Sequence, residues 1–173
     1  MAASAGRNVV LTGFMGSGKT TVGRIVAHQL GWAFLDTDAL IVARHGPIHA
    51  IFTEHGEAAF RAHEREVAIE AAAGWQQVIA TGGRMMLDPP NAEVLSATGR
   101  VFCLIVDAAE VYRRLQADPD GPMRPLLAGD DPATAIARLL DERADGYGQF
   151  EQVPAAGRTP AAIATDIINR LRS

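Results

Sequence analysis

Short uninterrupted apolar runs alternate along this chain with longer stretches in which apolar residues recur at helical spacing. "NVVLTG" (8–13) is β-branched and closed by glycine, which predicts a buried strand. In "KTTVGRIVAHQLG" (19–31), Val22, Ile25, Val26 and Leu30 share one helical face and Gly31 supplies a stop. "WAFLD" (32–36) predicts a second strand, and "TDALIVARHG" (37–46) a helix capped by Thr37 or Asp38 and closed by Gly46. The longest helical signal is "GEAAFRAHEREVAIEAAAG" (56–74), rich in Ala, Glu and Arg with a glycine at each end. Strands follow at "QVIA" (77–80) and "GRVFCLIV" (99–106), then a helix at 107–117 capped by Asp107. After the break "DPDGPM" (118–123), a helix runs from 131 to about Tyr147, and "QVPA" reads as a last short strand. The chain ends in a helix over 159–173 with Pro160 at its first turn.

Strands that are continuously apolar and alternate with helices predict a parallel sheet covered on both faces, the doubly wound α/β class. No repeat, low-complexity tract or linker divides the 173 residues, so one domain is expected. Composition narrows the partners. With 48% hydrophobic and 21% charged residues and a net charge of −4, nothing in the balance favours nucleic acid or an anionic membrane. No apolar run approaches the roughly 20 residues of a membrane span. The N-terminal stretch is too short and polar for a signal peptide. The single cysteine, Cys103, suits a reducing compartment. A cytoplasmic protein, monomeric by default, is the expectation.

Fifteen of the sixteen basic residues are arginine, and the one lysine, Lys19, lies in "GFMGSGKT" (13–20). This stretch matches G-x-x-x-x-G-K-[ST] between a predicted strand and a predicted helix, the context that a phosphate-binding loop requires. Gly13, Gly16 and Gly18 allow backbone N–H groups, those of Ser17 and its neighbours through Thr21 included, to turn around phosphate oxygens at a helix N-terminus. Lys19 is placed to reach the β- and γ-phosphates, and the Thr20 hydroxyl to serve Mg²⁺. A nucleoside triphosphate is the expected ligand.

The second strand ends in "FLDTD" (34–38), putting Asp36 and Asp38 at the carboxyl end of a strand near a switch point of the sheet, where open α/β sheets bind ligands. One carboxylate can serve the metal through water while the other takes a proton from a substrate hydroxyl. Helix capping by Asp38 is the bland alternative.

In order and spacing, "GFMGSGKTTVGR", "FLDTD", "IFTEHGEAAFRAHE", "ATGG", "MRPLL" and "DERADGY" resemble shikimate kinase, a small P-loop family with the nucleoside-monophosphate-kinase-like fold. The resemblance runs from Val9 to the C-terminal helix. It implies a three-layer α/β fold with a five-stranded parallel sheet flanked by helices, an acceptor-binding segment near 36–64 and a mobile lid near 115–130. The implied activity is ATP-dependent, Mg²⁺-assisted phosphorylation of the 3-hydroxyl of shikimate. By the same resemblance Asp38 binds the acceptor hydroxyls and is the candidate base, and Asp36 supports Mg²⁺ through water. Arg61 and Arg143 grip the acceptor carboxylate, with Glu64 steadying the first. Gly82 and Gly83 offer backbone N–H groups, Arg124 swings over the phosphates from the lid, and Arg114 and Arg158 sandwich the adenine. Each arginine also has a plainer reading. Arg61 has Glu57 and Glu64 within a turn, Arg143 has Asp141 and Glu142 beside it, and Arg114 could be solvated. A kinase for another small polyol or sugar acid such as gluconate, and a nucleotide-binding module without transfer activity, stay open.

Two departures from the family stand out. The stretch "LQADPDGPM" between Arg114 and Arg124 is a few residues longer than usual, and Arg84 occupies the place of a third glycine. If that glycine's φ were positive, arginine would strain the turn by roughly 1 kcal/mol. Otherwise the side chain points to solvent or into the acceptor pocket, where it would favour a more anionic acceptor.

Overall fold

The computed structural model describes residues 8–118, 129 and 131–173. Five parallel strands, β1 (Asn8–Gly13), β2 (Ala33–Asp36), β3 (Gln77–Ala80), β4 (Gly99–Ile105) and β5 (Glu151–Pro154), form one sheet in the order β2-β3-β1-β4-β5. Every residue of the central β1 is buried, as its unbroken apolar run predicts, while the edge strand β2 is only partly covered.

Alternation along β1 divides the core between two layers. Val9 and Leu11 face α1 (Lys19–Leu30), α5 (Ala108–Ala117), α6 (Pro132–Gly148) and α7 (Pro160–Arg172) through Val22, Val111, Ile136 and Ile163. Val10 faces the other way, against α2 (Thr37–His45), α3 (Ile48–Ala73) and α4 (Pro89–Ser96) through Ile41, Val67 and Leu95. The three-layer expectation is met. Because β3 is inserted between β1 and β2, the crossover from β1 to β2 passes over it. The carboxyl ends of all three therefore open onto one crevice.

The structure adds two helical stretches that the periodicity did not announce. α3 begins at Ile48, ahead of the predicted start, and breaks its helical geometry at Gly56, where φ is 83° and ψ 171°. α4 starts on Pro89, right after a single 3-10 turn at Met85–Leu87. No helix among the described residues is long and apolar enough to cross a membrane.

Candidate active site

The loop leaving β1 is built around glycines that no other residue could replace at its first position. Gly13 has φ of +136°, and a Cβ there would lie 2.6 Å from the Leu104 carbonyl oxygen. Gly16 and Gly18 also take positive φ, Gly18 as the residue that starts α1. The Lys19 ammonium folds back over this loop and donates to the Gly13 and Phe14 carbonyls at 2.9 and 3.0 Å. Burial lowers its pKa to about 8, although Asp38, Cys103 and Asp36 pull the other way. Such a cation gains from any polyanion that replaces lost hydration, so the cradle fits a triphosphate. Ser17 is buried with its hydroxyl unpaired beneath the loop.

Beside the loop lies a cavity of about 590 Å³, lined by Gly16, Ser17, Gly18 and Thr21 on one side and by Arg114 and Arg158 from other elements. Glu110, whose carboxyl the Arg113 and Arg114 guanidiniums hold down at about 2, accepts from Arg114 Nε at 2.7 Å. Arg114 in turn donates through Nη1 to the Gly16 carbonyl, so it is fixed to the phosphate loop rather than solvated. Arg158 is held by Asp166 at 3.0 Å and by the Pro154 carbonyl at 2.8 Å.

At the end of β2 the two aspartates divide their work in a way that corrects the capping expectation. The helix cap is Asp36, whose Oδ1 accepts from the Ala39 amide at 3.1 Å. Its Oδ2 accepts from the Thr20 hydroxyl at 2.8 Å, which brings the two predicted metal-serving groups into contact. Asp38 caps nothing. Its Oδ1 is buried without a partner, and its pKa is raised by desolvation and then by Asp36, against the pull of Lys19 and Arg61.

Gly82 explains how Asp38 is accommodated. A Cβ at Gly82 would come within 2.6 Å of Asp38 Oδ1 and 3.1 Å of Glu64 Oε1, so only glycine leaves both carboxylates their places. The Gly82 amide already donates to the Thr37 hydroxyl at 3.0 Å. The expectation that it is offered to an acceptor is therefore corrected: Gly82 supplies room, not a donor. Gly83 lies beside the Arg143 guanidinium, and its carbonyl accepts from the Tyr147 hydroxyl.

The plainer reading of Arg61, an ion pair within its own helix, is met. Arg61 pairs with Glu57 at 3.0 Å and with the buried Glu64 at 2.6 Å, and it stands in Coulombic reach of Asp38. Burial opposes its charge, but the hydrogen bonds to Glu64 and Glu57 prevail and raise its pKa. Arg143 differs. Its guanidinium sits 5.2 Å from the Phe14 ring centre, with Nη1 buried and unpaired, and Glu142 turns instead toward Arg138. A buried cationic nitrogen without a partner is costly unless an anion or a dipole meets it. Arg124 and most of the 115–130 segment lie outside the described residues.

Arg84 has φ of −111° and ψ of −3°, ordinary right-handed geometry, so the strain considered for this position is absent. Its half-exposed guanidinium is neither turned wholly outward nor sunk in the pocket. It reaches to 3.7 Å from Glu57 and faces a cavity of about 370 Å³ shared with Arg143.

Lys19, Asp38, Arg61 and Arg143 thus stand within electrostatic reach of one another in one crevice. The family model described as shikimate kinase matches residues 15–172. The chain belongs to the shikimate kinase family. A shikimate kinase of Synechococcus is 45% identical over 168 residues, covering 96% of this chain and 85% of the relative. One from Geobacter metallireducens is 40% identical over 172 residues, covering 98% and 94%. A solved structure of shikimate kinase from Acinetobacter baumannii in complex with shikimate superimposes with a TM-score of 0.86 at 33% identity, over 96% of this chain and 93% of that one. A gluconokinase from Sinorhizobium meliloti has a TM-score of 0.65 at 18% identity, which extends to the fold alone. Sequence reasoning missed Thr37 and Tyr147 as supports of the two glycines, because each acts through a contact made across the fold.

Proposed function

We propose that this shikimate kinase family member transfers the γ-phosphoryl group of ATP to the 3-hydroxyl of shikimate. The observation that carries the reading is Asp38, a half-buried carboxylate with one buried, unpartnered oxygen, within Coulombic reach of the Lys19 ammonium and the Arg61 guanidinium. The acceptor carboxylate is taken by Arg61 and Arg143, whose planar forks match it and fix the ring's orientation. That orientation turns one ring hydroxyl toward Asp38. The hydroxyl oxygen bonds to the γ-phosphorus as the bond from phosphorus to the β–γ bridging oxygen breaks, and Asp38 receives the hydroxyl proton. Lys19 compensates negative charge on the transferring group, so catalysis is mainly positioning and charge neutralisation.

The hydrogen-bonded pair of Thr20 and Asp36 is an oxygen donor set that suits Mg²⁺, and these two residues would hold it, Asp36 through water. Bound there with ATP, the ion would neutralise phosphate charge. Arg114 and Arg158 flank the cavity suited to the adenine, and Gly83 completes the acceptor side. For Arg124, which lies outside the described residues, a role on the phosphates is proposed from the resemblance alone. Because cradle and clamp come from one chain, we read the enzyme as a monomer acting in the cytoplasm.

The direct test is a coupled ADP-release assay with shikimate, followed by gluconate and quinate. Shikimate-dependent turnover is expected; its absence sinks the reading, and a response to another acid names the replacement. Arg61→Ala supplies a finer check. Loss of a charge-assisted clamp is expected to raise the acceptor KM by about 10- to 100-fold with little change for ATP. Equal effects on both substrates would make Arg61 a structural ion pair only.

A further inference from the structure

The proposed acceptor clamp has a difficulty that Arg84 resolves. Arg61 is occupied before any acceptor arrives. Its Nε and Nη2 both donate to Glu57 Oε1, at 3.2 and 3.0 Å, and Nη1 donates to Glu64 at 2.6 Å. The Nε/Nη2 edge is one of the faces through which a guanidinium takes a carboxylate bidentately. An acceptor carboxylate approaching it competes with Glu57, and a displaced Glu57 loses its counterion.

Arg84 stands where a replacement is needed. Its Nη1 is 3.7 Å from Glu57 Oε1, the same oxygen that Arg61 holds. Glu57 and Arg84 are both about half exposed, at 55% and 54%, so either can turn without disturbing the core. Glu64, at 2% side-chain exposure, cannot. The negative φ at Arg84 carries none of the left-handed strain that arginine would meet at a positive one.

We infer that Arg84 is a positioning residue of the acceptor site, the guanidinium that takes Glu57 from Arg61 when an acceptor carboxylate arrives. Glu64 stays on Arg61 throughout and keeps the clamp aimed, while Glu57 closes the 3.7 Å to Arg84 down to a hydrogen bond. Arg84 does not touch the acceptor; it lowers the cost of freeing Arg61. The inference rests on Arg61 being the carboxylate clamp of a shikimate kinase.

Its test is a cycle of Arg84→Met, Glu57→Gln and the double variant, with KM for shikimate and ATP and kcat measured for each. Arg84→Met is expected to raise the shikimate KM about fivefold, the scale of an exposed ion pair, and to leave kcat and the ATP KM unchanged. Arg84→Lys should recover part of the loss. In the Glu57→Gln background the same Arg84→Met change should have no effect, because the carboxylate to be exchanged is gone. An unchanged KM in Arg84→Met overturns the inference, and so does an equal effect with and without Glu57, which would make Arg84 a simple electrostatic attractor. If the unaltered chain shows no shikimate-dependent turnover, the substrate reading falls and the exchange falls with it; failure confined to the variants strikes the exchange alone.

Discussion

Lys19→Met is expected to lower kcat about 10³-fold while leaving the melting temperature at pH 7 no lower than that of the unaltered protein. The first effect follows from removing the one ammonium that reaches the loop where phosphate charge gathers. Deleting a single preorganised donor to developing charge costs on the order of 10²–10³ in rate, and this one carries a full charge. The second follows from the cost of keeping the cation. Desolvation has brought the Lys19 pKa down from 10.5 to about 8, so the fold prefers the neutral amine. The stabilising contribution is complete above the unfolded value and is lost as pH falls through about 8, leaving a charged, poorly hydrated group at pH 7. Methionine carries no such cost, although it gives up the hydrogen bonds to Gly13 and Phe14. The melting temperature of the unaltered protein should therefore gain on that of Lys19→Met between pH 7 and 9. Saturating ADP-release kinetics and thermal melts at the two pH values check both parts. A variant keeping more than a tenth of kcat would show that transfer needs no cation at this position.

The phosphate loop could be read from the sequence because its chemistry is local: glycines, lysine and threonine sit at spacings dictated by one turn and one helix start. The acceptor side was legible only in part, for reasons visible at particular residues. In "DTD" the two carboxylates are equivalent in sequence, and which one caps α2 depends on where β2 stops. Pairing of Asp36 with Ala80 ends the strand there and turns Asp36 onto the helix, leaving Asp38 to the crevice. Gly82 offers the same lesson. Its amide looks available until the fold brings Thr37 across from another element, 45 residues away in the chain. Helix α4 escaped notice because its eight residues carry little helical periodicity, although Pro89 and Pro90 in its first turn are compatible with a helix start. The opening turns of α3 were hidden by Gly56, whose positive φ interrupts the periodicity. At Arg84 the expected strain depended on a backbone angle that the sequence does not carry.

Asp38→Asn is expected to lower kcat by about 10²- to 10⁴-fold, the range supplied by a positioned general base, and at the same time to raise the melting temperature at pH 7. Asparagine keeps the shape but cannot take the acceptor's proton. The stability gain has a definite sign. Desolvation and the neighbouring Asp36 raise the Asp38 pKa in the folded state above its ordinary value, and this net direction already includes the opposing pull of Lys19 and Arg61. A raised folded pKa means that the fold favours the protonated form. Its stabilising contribution is complete below the unfolded value and is lost as pH rises through the folded one, so at neutral pH the ionised carboxylate is a cost that asparagine removes. The melting-temperature difference between the two proteins should therefore shrink as pH is lowered through the folded-state Asp38 pKa toward the unfolded value. The same shift sets the acid limb of kcat/KM for shikimate: activity should fall at a higher pH than an unperturbed aspartate would give, because protonated Asp38 cannot accept. Melts from pH 4 to 8 and a kcat/KM profile over the same interval read both consequences. If Asp38→Asn kept kcat within tenfold, orientation by Arg61 and Arg143 would suffice and no base would be needed. If it lowered the melting temperature at pH 7, the ionised carboxylate would be a net support of the fold. Loss of rate with a gain in stability is the combination expected of a desolvated carboxylate whose ionised form serves the chemistry.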